Sequence, residues 1–460
     1  MTRTIKSINP ADESLLNEFP DWSMNEITPV LEASDNAFQQ WQWLSFSQRA
    51  EYFTNMAKLA RERKSDYARL MANEMGKPIS QGEMEVEKCA WVCEHYAEQA
   101  EHYLADRQIK TENAESFITF KPLGVIYMIM PWNFPFWQVI RGAAPTIMAG
   151  NTIVLKHASN VFGCAEAIEQ LFRDAGFPDD IFRALLTGSS TSSDIIAHAK
   201  IRAVTLTGSE RAGQSVAAEA GKNLKKSVLE LGGSDPYIIL EDADIDAAVA
   251  SCGMSRMLNG GQVCIAAKRF IVVEAVREEF ENKILQLMKT YQMGDPLDAA
   301  TNFGPMAKSK LRDELHQQVM RSVEQGAELK LGGVVPDKPG AWYPATVLSN
   351  VKPGMTAFSE ELFGPVSTII TARDEAEAIA IANDTEYGLG GAVFTRDIEK
   401  GRRLARDVIN TGTCVVNGFV KSDPRLPFGG IKKSGYGREI GEFGILEFVN
   451  IKTIVVNAEN

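Results

Sequence analysis

Apolar positions recur at helical spacing early in the chain, most clearly as Val86, Cys89/Ala90, Cys93, Tyr96/Ala97, Ala100 and Tyr103/Leu104. A period of about 3.6 residues puts these side chains on one face, so the segment from about Thr28 to Arg107 is predicted to be helical with a buried stripe. That stripe reads Cys89 and Cys93 as small core thiols rather than as metal ligands or a redox pair. Beyond it the period changes. Short apolar runs at Val125–Met130, Thr152–Leu155, Phe182–Leu186, Ala203–Leu206 and Ser227–Glu230 alternate with helical stretches, which is the spacing of βαβ units and of a parallel sheet. After Leu231-Gly232-Gly233 a second series begins, with strands expected at Tyr237–Leu240, Phe270–Val273, Val366–Thr371, Ala392–Thr395 and Thr413–Val416. The pattern therefore predicts an α/β chain with two sheet-centred domains, divided near those glycines.

Length agrees with the division, since 460 residues exceed what one hydrophobic core organises. Hydrophobic residues at 45% and charged residues at 23% exclude disordered and fibrous classes. The 48 basic and 60 acidic residues include no basic run beyond pairs such as Arg402-Arg403 and Lys432-Lys433, so no nucleic-acid partner is expected. No apolar stretch reaches membrane length and the start, MTRTIKSINPADES, lacks an apolar targeting core. A cytoplasmic chain with no membrane partner is the expectation. The six cysteines form no CxxC pair and the five histidines are scattered, so no metal site is expected and a reducing compartment fits.

Four places carry polar chemistry. In Gly260-Gly261-Gln262-Val263-Cys264 the two glycines let the backbone bend sharply and leave the sulfur approachable. A thiol becomes a nucleophile only where its surroundings make thiolate, so its partners decide its role. Glu230 ends a predicted strand, where its carboxylate faces the crevice at the sheet's carboxyl edge and could act as a base. Pro131-Trp132-Asn133-Phe134-Pro135 follows the strand Val125–Met130 and sets one amide among bulky apolar groups, a donor suited to an oxyanion. Thr207-Gly208-Ser209-Glu210 runs from a strand through glycine into a helix start, a turn that can present backbone N–H groups to a pyrophosphate.

Taken together, MPWNFP (130–135), LTGS (206–209), LELGG (229–233), GGQVC (260–264), EELFGPV (360–366) and PFGGIKKSGYGRE (427–439) resemble the aldehyde dehydrogenase superfamily over nearly the whole chain, with 34 residues between Glu230 and Cys264. The resemblance implies Cys264 as nucleophile, Glu230 as general base and Asn133, with the Cys264 backbone N–H, as oxyanion hole. It implies NAD or NADP as cofactor, held by Trp132, Lys156, Ser159, Gly208, Ser209, Glu361 and Phe363. It implies a Rossmann-like cofactor domain over residues 1–107 and 123–231, a catalytic domain over 232–445, and a projecting β oligomerisation arm over 108–122 and 446–460. The arm and the tail Val449–Val456 are expected to pair across subunits of a homodimer or homotetramer.

Departures from the family pattern sharpen the reading. Members that prefer NAD often carry a glutamate where this chain has Ser159, and without that carboxylate the 2′-phosphate of NADP is not repelled; acceptance of both cofactors is expected. A relay lysine of some members is Gly142 here, although Glu439 at the other end of the relay is kept. Arg141 and Ser422 stand where succinate-semialdehyde dehydrogenases place substrate-binding residues, and an arginine within the apolar stretch Phe136 to Met148 needs an anionic partner. Their usual second arginine is Leu258, with Arg425 as a candidate replacement. The chain is most similar to the short bacterial succinate-semialdehyde dehydrogenases. Glutarate semialdehyde, neutral aliphatic aldehydes, a CoA-acylating reaction and a non-catalytic binding role are the alternatives; retention of Cys264, Glu230 and Asn133 speaks against the last, and Glu230 against CoA acylation.

Overall fold

The computed structural model describes residues 3–457. Helices Met24–Trp41, Phe46–Glu62, Lys64–Met75 and Ile79–Tyr103 fill the segment whose periodicity was helical. The first opens with a capping box, in which Ser23 and Glu26 satisfy each other's free backbone N–H groups. The last turns Val86, Cys89, Ala90, Cys93, Tyr96 and Ala100 into the largest core, where Cys89 and Cys93 are buried thiols.

That core lies against a six-stranded sheet in the order Gly435–Tyr436, Lys226–Glu230, Ile201–Thr207, Val125–Met130, Thr152–His157, Phe182–Ala184. All pairings are parallel except the first. Val125–Met130 is central and covered on both faces, which is why it reads as an unbroken apolar run rather than as an alternation. A seven-stranded sheet follows, ordered Glu328–Leu331, Thr346–Ser349, Val366–Ala372, Ala267–Val273, Asp235–Ile239, Gly390–Phe394, Thr413–Val416, parallel except at the Glu328–Leu331 edge. The architecture is therefore the α/β, parallel-sheet arrangement that the chain's patterning predicts. No helix among the described residues is long and apolar enough to cross a membrane.

The chain passes from the first sheet to the second at the first sheet's carboxyl edge. Register brings Met130, Thr207 and Glu230 to the same carboxyl edge of the first sheet. The chain leaves that edge through Leu231–Ser234 and enters the second sheet at Asp235, whose pairing partner Ala267 follows closely after Cys264. Ligands of open parallel sheets bind at such carboxyl edges.

A separate three-stranded sheet is formed by Val449–Val456, Glu115–Pro122 and Arg107–Gln108, all antiparallel. The tail pairs with the arm of its own chain, Val449 opposite Pro122 through Val456 opposite Glu115, where pairing between subunits had been the expectation. A continuous ladder within one chain requires no partner. The outer edge of Val449–Val456 has no strand beside it among the described residues, and Ile451, Val455 and Val456 are exposed there.

Candidate active site

Cys264 sits at the mouth of a turn that only glycine permits. Asn259, Gly260 and Gly261 all have positive φ, and a Cβ on Gly261 would lie 2.1 Å from the carbonyl oxygen of Gly364. Arg256, fully buried on the preceding helix, donates to the Gly261 carbonyl at 2.5 Å and closes the turn. Replacing Gly261 by alanine is expected to destabilise the protein by about 2–4 kcal/mol and to lower thiol reactivity beyond what the lost stability explains. Thermal melting together with active-site thiol titration measures both, and a variant unchanged in both would show that the turn relaxes freely.

Two further contacts hold the nucleophile's backbone. Lys268 donates to the carbonyls of Val263 at 3.0 Å and Cys264 at 2.5 Å while forming an ion pair of 3.0 Å with Glu361. Asn133 donates through Nδ2 to the carbonyl of Gln262 at 3.0 Å, and its own carbonyl accepts from Asn259 at 2.8 Å. The amide is thus anchored beside the cysteine turn from the other sheet. Behind it, buried His157 donates from Nε2 to the Pro135 carbonyl at 3.0 Å, and burial pushes its pKa down to about 4, so it braces the loop as a neutral ring. Glu85 accepts from the N–H groups of Phe136 and Trp137, both at 2.9 Å, and pairs with buried Lys77, fixing the start of the helix Trp137–Met148.

Glu230 ends its strand with the side chain only 2% exposed, and its Oε1 has no hydrogen-bond partner. Gly429 leaves the carboxylate room, since a Cβ there would lie 2.7 Å from Glu230 Oε1. Burial raises the Glu230 pKa well above the ordinary carboxylate range, the Glu439 charge raises it further, and Arg141 and Arg438 oppose the rise. Burial likewise pushes the Cys264 thiol up to about 12, with Arg141 and Lys268 acting in the opposite direction. Burial thus disfavours the ionised form of both thiol and carboxyl.

Cys264, Arg141 and Ser422 line one cavity of about 220 Å³, together with Phe134, Trp137, Leu258, Phe419 and Phe428. That volume is below the roughly 300–1,000 Å³ of drug-sized pockets and suits a short aldehyde. Arg141 is 2% exposed, and its anionic partner is internal: Nε pairs with Oε2 of Glu439, and the guanidinium lies 4.9 Å from the Phe428 ring centroid. The sequence reading sought that partner in a substrate; the isolated bridge Phe428–Glu439 supplies it by bringing the carboxylate under the helix. Arg425, expected to replace the second arginine, does not line the cavity. Its side chain is 66% exposed, ion-paired with Asp423 at 2.7 Å and stacked 5.4 Å from Trp91, because a carboxylate two residues away captures it first.

None of the residues expected to hold a dinucleotide lines that cavity. Thr207-Gly208-Ser209 leads into the helix Glu210–Lys222, with Ser209 as its cap and the buried Thr207 hydroxyl unpartnered. Trp132 and Phe363 meet edge to face at 5.9 Å, and Glu361 is aimed by Lys268 and by the Gly233 N–H at 3.1 Å. Lys156 is half-buried at the end of its strand; burial and the neighbouring Lys308 charge lower its pKa to about 8. Ser159 follows in a short 3₁₀ turn. Helix start, aromatic wall and cationic ribose end together fit an anionic dinucleotide.

The chain matches the sequence profile of the aldehyde dehydrogenase family over residues 1–454. It belongs to that family. This aldehyde dehydrogenase is 47% identical over 450 residues to a probable NADP-dependent succinate-semialdehyde dehydrogenase of Synechocystis sp., covering 98% of this chain and 99% of the relative. It is 46% identical over 448 residues to the NAD(P)-dependent succinate semialdehyde dehydrogenase of Escherichia coli, covering 97% of each chain. Among solved structures, a succinic semialdehyde dehydrogenase of Streptococcus pyogenes in complex with NADP superposes with a TM-score of 0.96 at 36% identity, covering 99% of this chain and all of that one.

Sequence reading missed Lys88, Lys268 and Glu85. Gln81, Met84, Glu85 and Lys88 form a second helical stripe beside the hydrophobic one, and all four line the cavity. That periodicity was available as a signal; their polarity disguised it as a solvated face.

Proposed function

We propose that the enzyme oxidises succinate semialdehyde to succinate with NAD or NADP. The observation that carries this reading is the small cavity that Cys264 shares with Ser422 and two cations, Arg141, which is paired with Glu439, and Lys88, which has no carboxylate partner. A cationic end opposite a nucleophile suits an aldehyde whose far end is a carboxylate. Synechocystis, Escherichia coli and Streptococcus pyogenes relatives bearing that activity in their names support the same substrate.

The chemistry follows from the residues. Cys264 Sγ gives its proton to solvent water and adds to the aldehyde carbon, and the former carbonyl oxygen becomes an oxyanion beside Asn133 Nδ2 and the Cys264 N–H. Collapse restores the carbonyl, expels hydride and leaves a thioester on Cys264; the bound nicotinamide cofactor supplies the hydride acceptor. Glu230, once ionised, takes a proton from water, whose oxygen displaces the sulfur and releases the acid. Trp132, Phe363 and Glu361 would position the nicotinamide end, Gly208 and Ser209 the pyrophosphate, and Lys156 and Ser159 the adenosine ribose. Beside Lys156, Ser159 adds no negative charge to repel a 2′-phosphate. The exposed outer edge of Val449–Val456 supports assembly of a homodimer or homotetramer through the three-stranded sheet.

A panel of succinate semialdehyde, glutarate semialdehyde, pentanal and hexanal with each cofactor tests the reading. Succinate semialdehyde is expected to give the highest kcat/KM, with both cofactors accepted and with no requirement for CoA. A higher kcat/KM for the neutral aldehydes, or a preference for NAD above about 10³-fold, the scale set by an unpaired buried charge, would overturn it.

A further inference from the structure

Arg141 already has a carboxylate partner in Glu439. Its charge also opposes the rise that burial imposes on the Glu230 and Cys264 pKa values. Another cation in the cavity has no such partner. Lys88 is half-buried on the helix Ile79–Tyr103, its Nζ donates to Ser422 Oγ at 2.7 Å, and it lies 4.3 Å from the Trp137 ring centroid. No carboxylate of the described residues lies within ion-pair distance of it, the nearby acids Glu85 and Asp423 being paired with Lys77 and Arg425. An ammonium withdrawn from water without a counterion is costly unless something supplies the negative charge.

We infer that Lys88 and Ser422 together form the anion-binding end of the substrate site, in which the ammonium takes the substrate carboxylate and the hydroxyl, freed to turn, donates to its second oxygen. This inference rests on the semialdehyde reading above and names the residues that discriminate. Leu258 and Phe419 add apolar lining to the same cavity, which suits the carbon chain between a carboxylate and an aldehyde.

Burial and the Arg141 charge lower Lys88 to about 8. The groups that face it are Arg141 and Cys264 across the cavity, Lys421 and Asp423 on the Ser422 loop, and Glu85 and Cys89 on its own helix. A lysine is charged below its pKa, so KM for an anionic semialdehyde is expected to rise as pH passes about 8. KM for pentanal is expected to lack that rise.

The test is steady-state kinetics of Lys88→Met and Lys88→Arg on succinate semialdehyde, glutarate semialdehyde and pentanal, with melting temperatures for each variant. Lys88→Met is expected to raise KM for the semialdehydes on the order of 10- to 100-fold, the range of a lost charge-assisted hydrogen bond, and at least about tenfold more than it raises KM for pentanal. Lys88→Arg is expected to retain the preference for the anion and to abolish its pH dependence. Equal effects on all three substrates, or an arginine variant that melts like the wild type yet behaves like methionine, would overturn the assignment. A wild-type preference for succinate semialdehyde that survives Lys88→Met would overturn Lys88 and leave the substrate standing. A Lys88-dependent preference for glutarate semialdehyde would overturn only the substrate, and no preference for either anion would overturn both.

Discussion

Glu230→Gln is expected to give a burst of reduced cofactor of about one equivalent per active site, followed by turnover slowed roughly 10²- to 10⁴-fold, the usual contribution of a general base. The burst should survive because acylation draws on Cys264, Asn133 and the bound cofactor, none of which the variant removes. Hydrolysis should fail because the amide has no basic site for the water proton. The pH profile checks the same assignment from another side. Burial and Glu439 hold the Glu230 pKa above its ordinary value, so the group is protonated at low pH and gains basicity as pH rises. Thioester hydrolysis in the wild type is therefore expected to quicken as pH rises above the ordinary carboxylate range, whereas the variant should be flat. Rapid-quench detection of the accumulated acyl-enzyme distinguishes this from a misfolded protein. A variant that loses the burst together with turnover would show instead that Glu230 is needed to form the thioester.

Cys264→Ser is expected to remove turnover by about 10⁴-fold or more, as losses of a nucleophile do, with no burst and no acyl-enzyme. The hydroxyl is close to isosteric but far less acidic than a thiol, and the site already resists ionisation: even the thiol is pushed up to about 12 by burial. Melting temperature should change little, because the turn is held by Arg256, Lys268 and Asn133 through backbone carbonyls rather than through the sulfur. Dialysis binding of NADP should also persist. Substantial residual oxidation would mean that hydride leaves from a species not covalently bound to residue 264.

Much of the architecture was legible because buried strands and helix stripes announce themselves by composition. Thr413–Val416 was predicted residue for residue, and Val125–Met130 likewise. The strands that escaped notice have physical reasons for doing so. Glu328–Leu331 alternates polar and apolar residues over only four largely exposed positions, and the exposed hairpin Thr4–Ile8 with Leu15–Pro20 carries no sustained alternation to detect. Thr346–Ser349 is buried, but four residues of mixed polarity are too short a signal. Gly435–Tyr436 joins the first sheet only through tertiary pairing with Leu229 and Glu230, which no local pattern records.

By itself the sequence determined the sheet-forming runs, the glycine turn before Cys264 and the identity of the chemically able groups, since each depends on residues adjacent in the chain. Tertiary structure alone decided what those groups face. It set Glu439 against Arg141 across almost 300 positions, turned Arg425 outward onto Asp423 and Trp91, and brought Lys88 to Ser422. Charge pairing acts through space and falls with distance rather than with sequence separation, so which cations already have a carboxylate partner could be read only from the folded chain.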